Sequence, residues 1–304
     1  MIAQDPQHLR DGAIRLEAGA LAVLRATGAD RIGFLHRLTS GSVQSTPVGQ
    51  SCRSLFLDNK AHVLADLRVS VRKDDVRLVA LGGEAQALVA GLGRYAIMDD
   101  FTLAEEADLR PVVLCGPEAA QALRSAGVTG SEALQADGAH VEVASPFGPL
   151  WLLRLHTMGT TGLWAFASSA TATALEAALQ SVPILDPEVA EAARILACEP
   201  KPGAEITPGV LPMEVGLASA LDTKKGCYLG QETIVRVRDR GLVRKRLVTL
   251  RLRGDRTPSA GSLVAFADQD AGHLTSVARL PGETPVALAL LSTTASVGAE
   301  VHIR

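Results

Sequence analysis

Eight residues, Lys225-Gly226-Cys227-Tyr228-Leu229-Gly230-Gln231-Glu232, constrain this chain more than any other stretch. They place a cation, a thiol, two glycines, an amide and a carboxylate side by side. Gly226 and Gly230 open backbone angles closed to other residues and let a ligand approach the main chain. Before them, Met213-Glu214-Val215-Gly216-Leu217 and Ala220-Leu221-Asp222 read as a tight approach of mostly small residues. After them, Thr233-Ile234-Val235-Arg236-Val237-Arg238 alternates and is β-branched at four of six positions, which predicts a strand. The octapeptide is therefore expected to be a loop feeding a strand, and loops held by a rigid scaffold are where reactive groups tend to sit.

The chemistry of the octapeptide has two readings. A thiolate is the nucleophile and metal ligand, and a neighbouring ammonium lowers a cysteine pKa, so Lys225, with Lys224 beside it, is a candidate activator of Cys227. Gln231 and Glu232 add a neutral donor–acceptor and an acceptor able to orient a polar ligand. In the plainer reading Cys227 is a small buried hydrophobe and the glycines make a turn.

With 304 residues the chain suits roughly two domains, or three small ones. A hydrophobic fraction of 47% and a charged fraction of 21% are ordinary for a globular protein with a sizeable core. A net charge of −3 argues against binding nucleic acid or anionic lipid over the whole surface, and ten aromatic residues are too few for a base-stacking platform. Cys52, Cys115, Cys198 and Cys227 form no Cys-x-x-Cys pair, which excludes a zinc ribbon, a self-contained cluster site and a disulfide framework. The start, Met1-Ile2-Ala3-Gln4-Asp5-Pro6, lacks a basic-then-apolar signal and no apolar run approaches a membrane span, so a cytoplasmic protein is expected.

Taken in order, residues 13–27 give a short strand and a turn, and Asp30 to Leu38 an amphipathic helix capped by Asp30 and buried through Phe34, Leu35 and Leu38. Ser51 to Leu57 and His62 to Val71 read as a hairpin turning at Asp58-Asn59-Lys60, with His62 a surface strand residue; Val76 to Leu81 follows as a strand. Glu84 to Gly91 is a helix, and Ala96 to Leu103 a strand carrying Asp99-Asp100, whose adjacent carboxylates face opposite ways and make no acid–base pair. Val112 to Cys115, with Cys115 in the core, leads into a helix over Glu118 to Ala126. Strands return from Gly138, over Leu150 to Leu155 and Leu163 to Ala167, before a small-residue helix from Ser168 to Leu179. Asp186-Pro187-Glu188 starts a helix that runs to about Cys198. The proline- and glycine-rich 199–212 reads as an ordered loop. From Gly241, short strands broken at Gly254-Asp255, Pro258-Ser259-Ala260-Gly261, Asp268-Gln269-Asp270 and Pro281-Gly282 suggest a small all-β domain.

Lys-Gly-Cys-Tyr-x-Gly-Gln-Glu resembles the signature of the YgfZ/IBA57 family, folate-binding relatives of the glycine-cleavage T-protein. Other blocks share the likeness: Gly28-Ala29-Asp30-Arg31 with Phe34-Leu35 and Leu38-Thr39; Arg194-Ile195 followed by Pro200, Gly203-Ala204-Glu205-Ile206, Leu211-Pro212-Met213-Glu214 and Gly216-Leu217; and Gly272-His273-Leu274-Thr275-Ser276, similar to a C-terminal glycine–threonine–serine turn. The likeness covers most of the chain and is weakest between about residues 120 and 185. It implies an α+β fold of the GcvT/YgfZ-like kind: interleaved α+β domains around a central cavity over residues 1–240, and a C-terminal all-β barrel over 241–304. It also implies work in assembly or repair of iron–sulfur proteins, and indirectly in tRNA modification, through Cys227 with Lys225. Tetrahydrofolate or another reduced folate would be held among Gly226, Tyr228, Gly230, Gln231, Glu232, Arg236, Glu205, Met213, Glu214 and Asp99; no metal site is expected. Partners would be iron–sulfur client or assembly proteins and, weakly, RNA, with no membrane. Enzyme status stays open.

Three positions depart from the family pattern. Where T-protein-like relatives have Arg-x-Glu-Ala-Gly, this chain has Arg194-Ile195-Leu196-Ala197-Cys198, losing a carboxylate that would bind the pterin and replacing a glycine by a thiol. Ala61 stands where relatives often have glycine. A tetrahydrofolate-dependent aminomethyltransferase is the competing function, against which the cysteine signature and the chain length count. Arg236, Arg238 and Arg240 would share one face of the expected strand, either as a solvated face or as an anion-binding rim for a polyglutamate tail or an RNA phosphate.

Overall fold

A computed structural model describes every residue except 1, 4–7, 84, 255 and 281. The expected N-terminal run, the helix start at Glu84 and the turns at Asp255 and Pro281 therefore rest in part on residues outside the described ones. The elements in chain order are β1 (Ile2–Ala3), α1 (His8–Asp11), β2 (Ile14–Leu16), β3 (Leu21–Thr27), α2 (Arg31–Leu38), β4 (Gln50–Leu57), β5 (Val63–Val71), β6 (Val76–Leu81), α3 (Ala85–Gly93), β7 (Thr102–Glu105) and β8 (Leu109–Cys115). There follow α4 (Ala119–Ser125), β9 (His140–Ser145), β10 (Gly148–Thr157), β11 (Thr160–Ser168), α5 (Ser169–Ala178), β12 (Ile184–Leu185) and α6 (Pro187–Leu196). The chain ends with α7 (Gln231–Asp239), β13 (Lys245–Arg251), β14 (Leu263–Phe266), β15 (Gln269–Ala278), β16 (Val286–Ser292) and β17 (His302–Ile303).

Two sheets interleave. A five-stranded sheet, β4-β5-β6-β3-β7, is threaded between β2 and β8, which both belong to a seven-stranded sheet ordered β1-β12-β2-β8-β11-β10-β9. Their inner faces meet over Val23, Val79, Val113, Trp151 and Phe166. Leu35, Leu88 and Leu92 of α2 and α3 cover the outer face of the first sheet, and Leu123 and Leu175 of α4 and α5 that of the second. Each fully buried leucine of this kind contributes about 1.5–3 kcal/mol. The last sheet, β13-β16-β15-β14-β17, is antiparallel throughout and joins the body through Val286, Leu288 and α6. Among the described residues no helix is long and apolar enough to cross a membrane.

Helix α6 forms because its ends are satisfied. The Asp186 carboxylate accepts from the Glu188 amide at 2.8 Å, and Pro187 fills the first turn. At the far end Glu199 N donates to Arg194 O at 3.1 Å and Cys198 N to Ile195 O at 3.0 Å, the paired bonds of a Schellman motif. That motif needs a left-handed residue, and Cys198 supplies it at φ 54°. A glycine adopts this conformation freely; a side chain costs about 1–2 kcal/mol there.

The inner side of α6 carries a buried ionic knot. The Arg194 guanidinium donates to Glu205 at 2.9 Å, to both oxygens of Glu191 at 2.9 and 2.8 Å, and to the Ser276 hydroxyl at 2.6 Å. Ser276 in turn donates to Glu205 at 2.7 Å. Burial would raise the Glu191 carboxyl, yet hydrogen bonds from Arg194 and Lys201 outweigh it and hold the group at about 2. The block resembling a glycine–threonine–serine turn is thus a bulged stretch of β15, shifted in register between Leu274 and Ser276 so that Ser276 reaches the knot.

Three further expectations are corrected. Ala96 to Leu103 is not one strand: residues 94–101 form turns, and pairing begins only at Thr102. The turn is held by docking, since Asp30 N donates to Asp100 O at 3.1 Å and Ala29 N to the Asp100 carboxylate at 2.8 Å. Asp30 occupies the cap position of α2 but makes no side-chain cap bond; its carboxylate accepts from Asp100 N at 2.9 Å instead. The strand expected over Thr233–Arg238 is helix α7. Cys198→Gly is expected to stabilise the fold by about 0.5–1 kcal/mol in urea unfolding, the relief of the left-handed side chain exceeding the loss of a half-buried thiol.

Candidate functional site

The site is built on the β4–β5 hairpin, whose two faces differ. Cys52, Ser54 and Phe56 lie opposite Val69, Leu67 and Ala65 and face the core under α2 and α3, while Arg53 and Leu55 lie opposite Arg68 and Asp66 on the other face. On that second face Leu55, Leu57 and Val63 pack with Val215, Tyr228 and Ile234, so the octapeptide sits directly on the hairpin. Gly230 marks the contact. It is left-handed at φ 82°, and a Cβ there would lie 2.7 Å from the carbonyl oxygen of Asp58 and 3.0 Å from the Ala61 Cα. The hairpin turn is set by Asp58, whose carboxylate accepts from the amides of Lys60 and His62 at 2.8 Å each and pairs with His62 Nδ1 at 2.9 Å. Ala61 sits there at φ 67°, which explains the glycine that the family resemblance expects.

The loop before α7 is pinned from both sides. Asp222 accepts from Lys224 N at 2.7 Å, from Lys225 N at 3.2 Å and from the Ser42 hydroxyl. Ser40 donates through its hydroxyl to Ala220 O at 2.7 Å and accepts from Leu55 N at 2.8 Å, tying the approach to β4. The Lys225 ammonium donates to the carbonyls of His36 at 2.6 Å, Gly41 at 2.7 Å and Thr39. An ammonium has three hydrogens, so all are committed to the end of α2 and the turn after it, where carbonyls have no helical partner. Lys225 also stands 4.9 Å over the Tyr228 ring. Burial pushes this lysine down to about 8, opposed by the charge of Asp222. With its hydrogens spent, any effect of Lys225 on Cys227 is through-space charge. Cys227 itself is exposed, which sets aside the buried-hydrophobe reading.

The remaining expected residues fall into separate places. Tyr228 is buried, and its hydroxyl has no hydrogen-bond partner among the described residues. Met213 packs against the same cluster, while Glu214 folds back to accept from Leu211 N at 3.1 Å. Gln231 reaches the Lys225 carbonyl at 3.4 Å, and a Cβ on Gly226 would meet nothing within 4 Å beyond its chain neighbours. Glu205 belongs to the α6 knot, where Arg194, Ser276 and the Lys201 amide fill its oxygens. Asp99 pairs with Arg37 on α2. Leu196, 38% exposed, ends α6 about 200° around the helix from the buried Arg194.

Helix α7 overturns the arginine row. Left-handed Gly230 turns the chain off the hairpin, Glu232 sits in the positive first turn, and Glu232 pairs with Arg236 at 2.6 Å. Arg236 and Arg240 then share a side, and Arg238 points about 200° away, where it pairs with Asp239 at 2.8 Å. A six-residue alternation is too weak a signal to outlast these contacts.

Sequence reading missed Arg53, Asp66 and Arg68. Arg53 lies in the mixed first half of β4, while Asp66 and Arg68 alternate along the mostly apolar β5, and that interruption was the available signal. Arg53 holds Asp66 with two bonds of 2.9 and 2.5 Å. Arg68, beside them, has no hydrogen-bond or ion-pair partner among the described residues; burial and the charge of Arg53 pull its guanidinium below the ordinary value. Asp137 and Glu199 lie within electrostatic reach of it.

The fold is that of the glycine-cleavage aminomethyltransferase T. The crystal structure of that protein from Bartonella henselae superposes with a TM-score of 0.87 over 98% of this chain and 83% of its own, at 23% identity. In sequence, the chain is 24% identical over 279 residues to a chloroplastic protein of Arabidopsis thaliana that carries a transferase name. It is 42% identical over 77 residues, 23% of this chain, to a mitochondrial iron–sulfur cluster assembly factor IBA57 homologue of Phaeosphaeria nodorum. The chain spans 62% of the first relative's length and 19% of the second's. No family model matches the sequence. Together these likenesses support the GcvT/YgfZ-like superfamily.

Because the folded Lys225 value of about 8 lies below the ordinary 10.5, the unfolded chain binds the extra proton between those limits. Stability from this group is fully present above pH 10.5 and is lost as pH falls through 8. The stability difference between wild type and Lys225→Met should therefore move in favour of wild type as pH rises across that window. Chemical denaturation at several pH values checks this, and a flat difference would show the lysine titrating alike in both states.

Proposed function

We propose that this chain binds a reduced folate on the β4–β5 face beside the octapeptide and acts through Cys227 in assembly or repair of iron–sulfur clusters, with tRNA modification affected indirectly. The observation that carries it is an exposed thiol on a loop whose backbone is fixed at Asp222, Lys225 and Gly230. A thiol needed only for packing would be buried; one that ligates iron or exchanges with another thiol must be reachable. The match to an iron–sulfur assembly factor supports this reading, and the overall fold supports folate binding. Cys227→Ser should fold as wild type, since an exposed thiol contributes little packing, and should fail to rescue a deletion strain in activity of its cluster enzymes. Full rescue by the serine variant would sink the proposal.

For the ligand, the β4–β5 face offers the Tyr228 hydroxyl and the half-buried Arg68 guanidinium, neither with a hydrogen-bond partner among the described residues. They suit the amide-like edge and carboxylates of a folate, which when bound would supply a one-carbon carrier. Glu205 and Glu214 are spent on the protein's own contacts, so anchoring falls to Arg68 and Tyr228. The cytoplasm, iron–sulfur client proteins, weak RNA contact through α7 and a domain division at 240/241 complete the reading. Aminomethyl transfer on tetrahydrofolate is the competing function, favoured by the fold. Arg68→Leu should raise stability, because it removes a half-buried charge with no partner among the described residues, while weakening tetrahydrofolate binding about tenfold or more in calorimetry. Unchanged affinity would move the ligand elsewhere.

A further inference from the structure

The C-terminal sheet is open. Its order, β13-β16-β15-β14-β17, leaves β13 and β17 at the two edges, with no pairing between them among the described residues. A groove of about 900 Å³ lies along these edges, bounded by residues of β13, of the segment after Thr257 and of the stretch leading into β17. Every residue from Val248 to Arg253 borders it. Successive side chains of a strand point to opposite faces, so a groove touched by six in a row follows the strand's edge and not one face.

The phase of β13 is set by its ends. Leu252 N donates to Pro285 O at 2.9 Å and Thr293 N to Arg244 O at 2.9 Å, so the even-numbered residues exchange bonds with β16. The backbone groups of Thr249 and Arg251 therefore point away from β16, and among the described residues they have no backbone partner. An unpaired edge of this kind is a template for another strand.

Charge says which strand. Among the described residues five arginines border the groove, at 246, 251, 253, 256 and 304, against one acid, Glu300. Arg253 is paired with Glu300 at 2.7 Å and Arg304 with Asp270 at 3.1 Å, but Arg251 and Arg256 are exposed and have no partner among the described residues. The floor is apolar, made by half-buried Val248, Leu250, Val301 and Ile303. An exposed, salt-bridge-poor arginine rim over an apolar floor fits a chain that alternates acidic and β-branched residues.

We propose that this groove docks an extended acidic segment of a partner protein, which adds as a strand to the open edge of β13. Its main chain would bond Thr249 and Arg251, its alternate apolar side chains would meet the floor, and its carboxylates would face Arg251 and Arg256. None of the residues 225–232 borders the groove, so the docking surface is separate from the octapeptide.

The test uses the full chain and a fluorescent peptide alternating glutamate and valine, followed by anisotropy. The expected result is salt-sensitive binding, weakened at least tenfold by the double substitution Arg251→Glu and Arg256→Glu. A peptide of the same charge with prolines at alternate positions should not bind, and the amides of Thr249 and Arg251 should exchange more slowly with the acidic peptide present. Equal binding of the proline peptide would reduce the contact to charge alone and overturn strand addition. Failure of the acidic peptide to bind, or tighter binding of oligouridylate that the same double substitution abolishes, would overturn the proposal.

Discussion

The ion pair between Arg194 and Glu205 holds together three parts of the chain that local forces would not join. Arg194 comes from α6, Glu205 from the proline-rich loop that leads to the octapeptide, and Ser276 from the C-terminal sheet. The side chain of Glu205 is fully enclosed, so its charge is tolerable only because three donors meet it. Removing one partner of such a pair typically costs about 3–5 kcal/mol, whereas replacing the whole set by apolar groups need not. Its contribution is geometric. It fixes where the loop leaves α6, and hence where Met213, Tyr228 and Cys227 come to lie on the β4–β5 face.

A second constraint acts at the other end of that loop. Lys225 places its charge among three carbonyls at the end of α2 and above the Tyr228 ring. The lysine thus anchors the segment that presents Cys227, and the thiol stays at the surface because the residues around it are tied inward. Rigid presentation of one reachable sulfur, beside a buried face with unfilled polar groups, is the physical basis of the functional reading. It also separates this site from the arginine-rimmed groove, where recognition would run through an open strand edge.

Much of the architecture was readable from the chain. The hairpin of β4 and β5, the strand β6, the cap of α6 and the enclosed Cys115 follow from alternation, turn residues and proline placement. The left-handed Ala61 and Cys198 fall where family likeness expects glycine, so even the departures were visible as residue types. The site was less legible. Glu205 and Glu214 have the right chemistry for ligand binding but are used up by contacts that no spacing rule shows. Arg68 lay in a strand pattern as an ordinary charge, and only the sheet register set it beside Arg53 without a partner.

The sequence alone determined most of the period-two strands, the start of α6 and the glycine-punctuated octapeptide, because each depends on residues a few positions apart. Tertiary structure decided α7, whose β-branched run favours a strand, since Gly230 packed on the Asp58 carbonyl turns the chain and the Glu232–Arg236 pair then holds the helix. It likewise decided that residues 96–100 dock as a turn on Gly28 to Asp30, where a Cβ on Gly28 would lie 2.0 Å from the Asp100 carbonyl oxygen. In both cases a close backbone contact between residues distant in sequence outweighs a local preference worth only about 1 kcal/mol.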